Sequence, residues 1–346
     1  MFHSNENKSL RLGFIGLGWI GRNRLEAILD SEITETPLVF DTSPTVIKSL
    51  KKDHPTIQVA ESIHDFWDAE LDGIVIATPN AFHLEHCLLS LENNLPVFCQ
   101  KPLGRNSSEI QKIVEKSKKK NLRVGIDWSY RFTEAMVKIK NLISEKAIGD
   151  IFSAEFIFHN AYGPNQPWFY DSYLSGGGCL LDLGVHLIDL AFWTLQDYTV
   201  KSVSSSLFSD GKRLNNLRDR VEDFATLSID LKSGVHLKFD CSWKLNAGCD
   251  CDIRCIFYGT QGTLVFKNIQ GSFYDFSSEL LIGRSREILT MSPDSWGGKA
   301  AISWAKHLKE ENGRSFDPEL ENTILVAQMI DQAYGRSISE EFNERH

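Results

Sequence analysis

The chain has 346 residues, with 37 lysines and arginines against 46 aspartates and glutamates, a formal charge of −9. That balance repels phosphate backbones and anionic headgroups, and no basic stripe with interleaved aromatics offsets it, so neither nucleic acid nor a membrane surface is an expected partner. With 42% hydrophobic and 24% charged residues the composition is that of a folded globular protein, and at about 150 residues per domain the length predicts two domains. Seven scattered cysteines, an odd count in so large a chain, predict free thiols in a reducing compartment. Met1–Arg11 is mostly polar with no apolar stretch of the signal-peptide kind, so the cytoplasm is the expected location. No run reaches the roughly 18 apolar residues needed to cross a bilayer, since the most apolar stretch, Cys179–Trp193, contains Asp182, His186 and Asp189.

In chain order, short aliphatic runs at Leu10–Ile15, Leu38–Phe40, Ile57–Val59, Gly73–Ala77, Val97–Cys99 and Arg123–Ile126 alternate with helical patterns. That alternation predicts βαβ units in a doubly wound parallel sheet, a Rossmann domain over 8–128. Ser43-Pro44 supplies an N-cap with proline at the first helical position, and Asn80 is placed to cap a helix running to Glu92. The pattern then changes: a helix at Thr133–Ser144, a strand with Phe152, Ala154, Phe156 and Phe158 on one face, and period-two strands from Val200 to Phe276. With helices at Lys299–Glu310 and Pro318–Tyr334, residues 129–346 read as an α+β domain built on a large, mostly antiparallel sheet.

Gly16-Leu17-Gly18-Trp19-Ile20-Gly21 follows the first strand and opens a helix. The first glycine permits the tight turn, the second admits a pyrophosphate to the backbone, the third lets helix pack on strand, and the helix N-terminus favours the negative charge. Asp41 ends the second strand, where a carboxylate accepts both adenosine ribose hydroxyls and repels a 2′-phosphate. The expected cofactor is therefore NAD, with NADP left open because other loops can supply phosphate contacts. Two later strand ends, Ala77-Thr78-Pro79-Asn80 with His83 and Cys99-Gln100-Lys101-Pro102, face the same crevice. Thr78, Pro79 and Asn80 read equally as a capped turn and His83 as an exposed first-turn residue, whereas Lys101, held extended before proline, is aimed over the crevice.

Asp182, His186 and Asp189 interrupt an apolar helix within a wedge of about 60° at 100° per residue. Burying such groups among Leu181, Leu183, Val185, Leu187 and Ile188 costs several kcal/mol unless they pair or meet a polar ligand. A substrate site is the economical explanation, beside a self-satisfied structural network or a metal site that no matching His/Cys cluster completes. The glycines at 176–178 either bring backbone close to a ligand or turn the chain sharply into the helix.

Together Gly16-x-Gly18-x-x-Gly21, Ala77-Thr78-Pro79-Asn80-x-x-His83, Lys101-Pro102 and Gly176-Gly177-Gly178-x-x-x-Asp182-x-Gly184-x-His186-x-x-Asp189 resemble the motif series of the glucose–fructose oxidoreductase / inositol dehydrogenase / rhizopine-catabolism (Gfo/Idh/MocA) family. The resemblance covers about Leu10 to Trp193 and implies a Rossmann domain, a second domain with an open sheet that often forms the oligomer interface, and Lys101, Asp182 and His186 as the catalytic set. Where the family commonly has Glu-Lys-Pro this chain has Gln100-Lys101-Pro102, which removes a charge beside the lysine. The expected cofactor contacts are Gly16, Gly18, Trp19, Ile20, Gly21, Asp41, Thr78, Pro79, Asn80, His83, Gln100 and Lys101. The expected substrate contacts are Lys101, Arg131, Asn160, Trp168, Asp182 and His186, with no metal.

Trp128, Tyr130, His159, Tyr162, Phe169 and Tyr170 add flat faces suited to a sugar or cyclitol, and equally suited to anchoring loops on a core. Arg131 fits a ligand carboxylate or phosphate, or equally a structural carboxylate between the domains. Cys251 and Cys255 alternate with charged residues on a strand, so with Cys249 they are expected to face the core. The functional expectation is an NAD-dependent sugar or polyol dehydrogenase acting on a small molecule as a homodimer or homotetramer. The alternatives are an NAD-using glycosidase, known within this family, and a non-catalytic dinucleotide or sugar sensor.

Overall fold

The structure, a computed structural model, describes residues 9–34, 37–215, 217, 220–310 and 313–336, so the polar start of the chain lies outside it. It divides into two compact units, the first running to Gly104 with Glu109–Asp127 and Gly297–Glu321, the second comprising Arg105–Ser108, Trp128–Trp296 and the chain from Asn322 onward.

In the first unit, strands β1 (Leu12–Ile15), β2 (Leu38–Phe40), β3 (Gln58–Val59), β4 (Gly73–Ile76), β5 (Val97–Cys99) and β6 (Val124–Ile126) form one sheet in the order β3-β2-β1-β4-β5-β6. Every pairing is parallel. The order reverses between β1 and β4, which opens the crevice where doubly wound sheets bind ligands. β1, β4 and β5 are buried along their whole length, as central parallel strands covered on both faces must be. Ser43 caps the helix Pro44–Asp53, its Oγ accepting from Val46 N, with Pro44 in the first turn. Asn80 opens a short 3₁₀ turn instead, and the helix proper starts at His83 with no side-chain cap.

The division in the structure differs from the expected one at 128/129 in two segments: 297–321 returns to the first unit, and Arg105–Ser108 goes to the second, with Trp128 shifted by one residue. The helix of the returning segment, Lys299–His307, lays Trp304 on the sheet, where a Cβ on Gly73 or Gly125 would approach the indole to 2.8 and 2.7 Å. Only glycine in both strands leaves room for that ring, and neither glycine is near it in sequence.

The second unit is built on nine strands: β7 (Ile151–Asn160), β8 (Val200–Ser209), β9 (Lys212–Arg213), β10 (Phe224–Leu231), β11 (His236–Ser242), β12 (Cys251–Gly259), β13 (Thr263–Asn268), β14 (Phe276–Ile282) and β15 (Ser285–Thr290). Their order is β15-β14-β13-β12-β7-β11-β10-β8-β9, antiparallel throughout except for the parallel pair β7 and β11. One face is the core, with Ala154, Phe156, Phe158, Phe239, Ile253, Cys255 and Phe257 all buried. Cys251 and Cys255 lie on it as expected, while Cys249 precedes the strand and is half-buried.

Helix Val185–Leu195 packs on that face against β7 and β11. The segment Ser172–Leu195 is long and apolar enough to cross a membrane by length and composition, its most apolar 18 residues having a mean hydropathy of 1.4, but 83% of that stretch is buried inside the fold. This corrects the expectation that no stretch qualifies: Asp182 and Asp189 dilute the apolar run without breaking it, and the segment is a core element.

Candidate active site

The backbone of the glycine loop has the geometry that the three expected tasks require. Gly16 has φ +88°, and a Cβ there would strike Ala77 O at 2.6 Å. A Cβ on Gly21 would strike Gly16 O at 2.2 Å, so the helix lies directly on the loop. At Gly18 a Cβ would meet nothing within 4 Å, which leaves open space where a pyrophosphate would sit at the N-terminus of helix Trp19–Asp30. No acidic residue stands in that helix's first turn to oppose an anion, and Trp19 is 72% exposed beside it.

The Asp41 carboxylate braces this loop, accepting from Leu17 N at 2.7 Å and from Ser43 N at 2.8 Å. Each oxygen holds one backbone donor and keeps a lone pair for a ribose hydroxyl. Of the two arginines in the helix after the loop, Arg22 is committed to Glu26 and Asp53 and Arg24 to Asp127. The residues present fit a dinucleotide.

His83 is placed otherwise than expected. It is 1% exposed, with Nδ1 2.7 Å from Pro102 O and Nε2 2.8 Å from Thr78 O. Burial pushes its pKa down, against the pull of the two carbonyls, which favour the protonated ring. With both ring nitrogens held, His83 ties the Thr78 turn to the Lys101-Pro102 turn and offers no ring nitrogen to a cofactor, which corrects its assignment as a contact. His86, one turn on, lies with Nδ1 3.3 Å from Thr78 Oγ1, and burial lowers its pKa to about 4. The unfolded chain protonates this ring near pH 6.5 and the folded chain does not, so its contribution to stability is present above pH 6.5 and is lost as pH falls toward 4. The thermal midpoint is expected to fall across that window, and less steeply in His86→Gln.

In the second unit Asp182 lies in a π-helical turn, Leu180–Gly184, before helix Val185–Leu195. The wider turn breaks the uniform 100° step between Asp182 and the helix that follows. Trp243 Nε1, from the end of β11, donates to Asp182 Oδ2 at 3.1 Å. His186, 7% exposed, meets the Tyr130 ring edge-on at 4.9 Å and Trp128 at 6.2 Å. Asp189, 2% exposed, receives both arms of Arg131, Nε to Oδ2 at 2.8 Å and Nη2 to Oδ1. Arg131 thus pairs with a structural carboxylate of its own unit, which corrects the expectation of one between the domains. It aligns the turn Ser129–Phe132 along the helix that carries His186.

Asn160 ends β7 on the helix-covered face, and among the described residues no donor meets its buried Oδ1. A buried acceptor of this kind can take a hydrogen bond from a water or a ligand hydroxyl. His159, by alternation, faces the other side, its Nδ1 2.8 Å from Ser242 Oγ and its ring stacked on Phe224. Trp168 stacks on Phe169 at 3.8 Å, and Phe169 and Tyr170 pack on Trp243. Trp128 and Tyr130 are buried braces of His186 and not open platforms.

The glycines at 176–178 are required by protein contacts. A Cβ on Gly177 would meet Tyr334 OH at 2.3 Å and one on Gly178 would meet Glu222 O at 1.9 Å. Glu222 is fully buried and takes Gly178 N, Leu180 N at 2.8 Å and Tyr334 OH at 2.8 Å on its carboxylate, fastening the start of the segment that carries Asp182. Burial pushes its pKa up against those donors. Glu222, Tyr334 and Trp243 escape sequence reasoning because none lies in a spaced motif.

A doubly wound sheet with a glycine-loop dinucleotide cradle, followed by a domain whose buried helix presents an acid and an imidazole, defines a two-domain Rossmann oxidoreductase. Residues 10–127 match the oxidoreductase family with NAD-binding Rossmann fold, and residues 136–265 match the GFO/IDH/MocA C-terminal domain. The chain belongs to the Gfo/Idh/MocA oxidoreductase family.

Glucose-6-phosphate 3-dehydrogenase of Bacillus subtilis (strain 168) is 25% identical over 273 residues, covering 75% of this chain and 77% of that protein. KijD10, a 3-ketoreductase from Actinomadura kijaniata solved with NADP and TDP-benzene, superposes with a TM-score of 0.82 at 18% identity, over 96% of this chain and 99% of its own. Levoglucosan dehydrogenase solved with NADH and levoglucosan superposes with a TM-score of 0.78 at 20% identity, over 95% and 98%. At these identities the two structures speak for the fold.

Proposed function

We propose that the chain is an NAD-dependent dehydrogenase acting on a hydroxyl-bearing carbon of a sugar or cyclitol, with Lys101, Asp182 and His186 as its catalytic set. The observation that carries this reading is the pair Asp182 and His186 on a buried apolar segment, each side chain oriented by aromatic neighbours. Relatives whose names describe them as sugar dehydrogenases support the substrate class.

The glycine loop, Asp41 and the strand-end residues Thr78, Pro79, Asn80, Gln100 and Lys101 would hold the dinucleotide, which when bound supplies a two-electron hydride acceptor or donor. His186, as a neutral imidazole, takes the proton of the substrate hydroxyl, and returns it in the reverse direction. The Lys101 ammonium stabilises the alkoxide that develops at that oxygen. Asp182, held on Trp243 Nε1, binds a second substrate hydroxyl. Asn160 Oδ1 supplies a further acceptor for the ring's hydroxyls, and Trp168 a flat face.

NAD over NADP rests on the Asp41 carboxylate, which disfavours a 2′-phosphate. In Asp41→Ser, NAD affinity is expected to fall and NADP affinity to rise, shifting their ratio by about tenfold or more, read by fluorescence titration of the reduced forms. The same reading makes the protein a cytoplasmic homodimer or homotetramer whose partner is a small molecule.

A panel of free sugars, inositols, sugar acids and nucleotide sugars with NAD and NADP, followed at the nicotinamide band, tests the proposal. Reduction with one class confirms it and fixes the substrate. Glycoside cleavage with no net change in that band would replace it with the elimination reaction, and dinucleotide binding with no turnover of any substrate would leave a sensor.

A further inference from the structure

Three buried side chains meet at the carboxyl edge of the first sheet. Gln100, after β5, is 5% exposed; Asp127, after β6, is 1% exposed; and Arg24, in helix Trp19–Asp30, is 5% exposed. Asp127 Oδ2 accepts from Arg24 Nε at 2.6 Å and from Gln100 Nε2 at 2.7 Å, while its Oδ1 is buried with no hydrogen-bond partner. The backbones are fixed as well, Gln100 N on Ile76 O at 2.9 Å and Asp127 N on Cys99 O at 3.0 Å.

A carboxylate that takes a guanidinium N–H and an amide N–H on one oxygen is an acceptor toward both partners. The amide of Gln100 therefore has one orientation: Nε2 turns inward to Asp127, and Oε1 is left outward. Among the described residues no donor meets Oε1, and it is not sealed from the surface as Asp127 Oδ1 is. Asp41 lies beyond β1 on the β2 side and takes the adenosine ribose, so the nicotinamide half of a dinucleotide extends over β4 and β5, where Gln100 stands.

We propose that Arg24 and Asp127 form an orientation lock that makes Gln100 Oε1 an acceptor for a donor on the nicotinamide half of the cofactor, its ribose hydroxyls or its carboxamide. Asp127 and Arg24 are positioning residues; Gln100 is the contact. This rests on the dinucleotide reading above and adds to it two residues that no motif contains. It also accounts for glutamine before Lys101, because a glutamate there would set two carboxylates 2.7 Å apart.

The test uses the full chain and two probes, NADH and ADP, since ADP lacks the nicotinamide half. Asp127→Asn frees the amide to turn, and NADH affinity is expected to fall about tenfold with ADP affinity unchanged. Gln100→Glu opposes the two carboxylates and is expected to lose at least as much. In the double variant Gln100→Glu/Asp127→Asn the amide now at position 127 donates to the carboxylate now at position 100, one carboxylate remains for Arg24, and NADH affinity is expected to return to within about threefold of wild type. Gln100→Met, which keeps volume and removes both polar atoms, carries the test if Asp127→Asn does not fold.

Equal losses of NADH and ADP binding in the variants, or a double variant no better than Gln100→Glu, overturn the lock and leave the dinucleotide site standing. A wild-type chain that binds neither probe overturns the dinucleotide reading, and this inference with it.

Discussion

His186→Ala is expected to lower kcat by about 10²–10⁴, the range that a positioned general base contributes, while leaving NADH affinity unchanged. The imidazole is buried beside Tyr130 and Trp128, so its loss removes the proton acceptor without touching the glycine loop or Asp41 in the other unit. Lys101→Met is expected to act in the same way, since methionine keeps most of the stem and deletes the ammonium that stabilises the alkoxide. Steady-state kinetics with the substrate found by the panel, alongside a fluorescence titration of NADH, separate the two effects. Turnover within a few-fold of wild type in either variant would remove that residue from the mechanism, and a parallel loss of NADH binding would make it a structural support.

The second large effect is on stability. Arg131→Met strips the two-armed guanidinium from Asp189, a carboxylate 2% exposed on the inner helix, and breaking a buried ion pair by removing one partner costs about 3–5 kcal/mol. The Arg131 side chain is itself 21% exposed, which places the expectation at the lower end of that range. Urea unfolding at neutral pH reads it directly as a lower midpoint with an unchanged slope. Because Arg131 also lies against the Trp128 and Trp193 rings, and its neighbour Tyr130 meets His186, turnover is expected to fall with stability. A loss under about 1 kcal/mol would show that solvent already screens the pair. Asp189→Asn, which removes the charge and keeps the shape, is expected to be milder than Arg131→Met for the same reason.

Much of the first unit was legible because its signals are local. A strand, a glycine turn, a helix start and an acid at the next strand end lie within 30 residues, and Ser43-Pro44 fixes its helix by a hydrogen bond three residues long. Asp182, His186 and Asp189 stood out because ionisable groups in an apolar run need an explanation whatever the fold. Both arguments use only neighbours in the chain. What failed did so where the partner is distant: His83 looked exposed because the Pro102 carbonyl that buries it comes from another strand end. The uniform helical step failed at 180–184, because the π turn forms under the hold of Glu222 on Gly178 and Leu180.

The sequence by itself determined the element order, the parallel sheet with its cradle, and the chemical types of the groups that can act. Tertiary structure decided which partner each of those groups received. It gave Asp182 to Trp243, Asp189 to Arg131, and Gln100 to Asp127. It also returned Trp304 across the chain to the glycines of β4 and β6. Periodicity and capping are encoded within a few residues, whereas a buried polar group is satisfied by whatever donor the packing of remote strands brings within about 3 Å, and no spacing along the chain encodes that encounter.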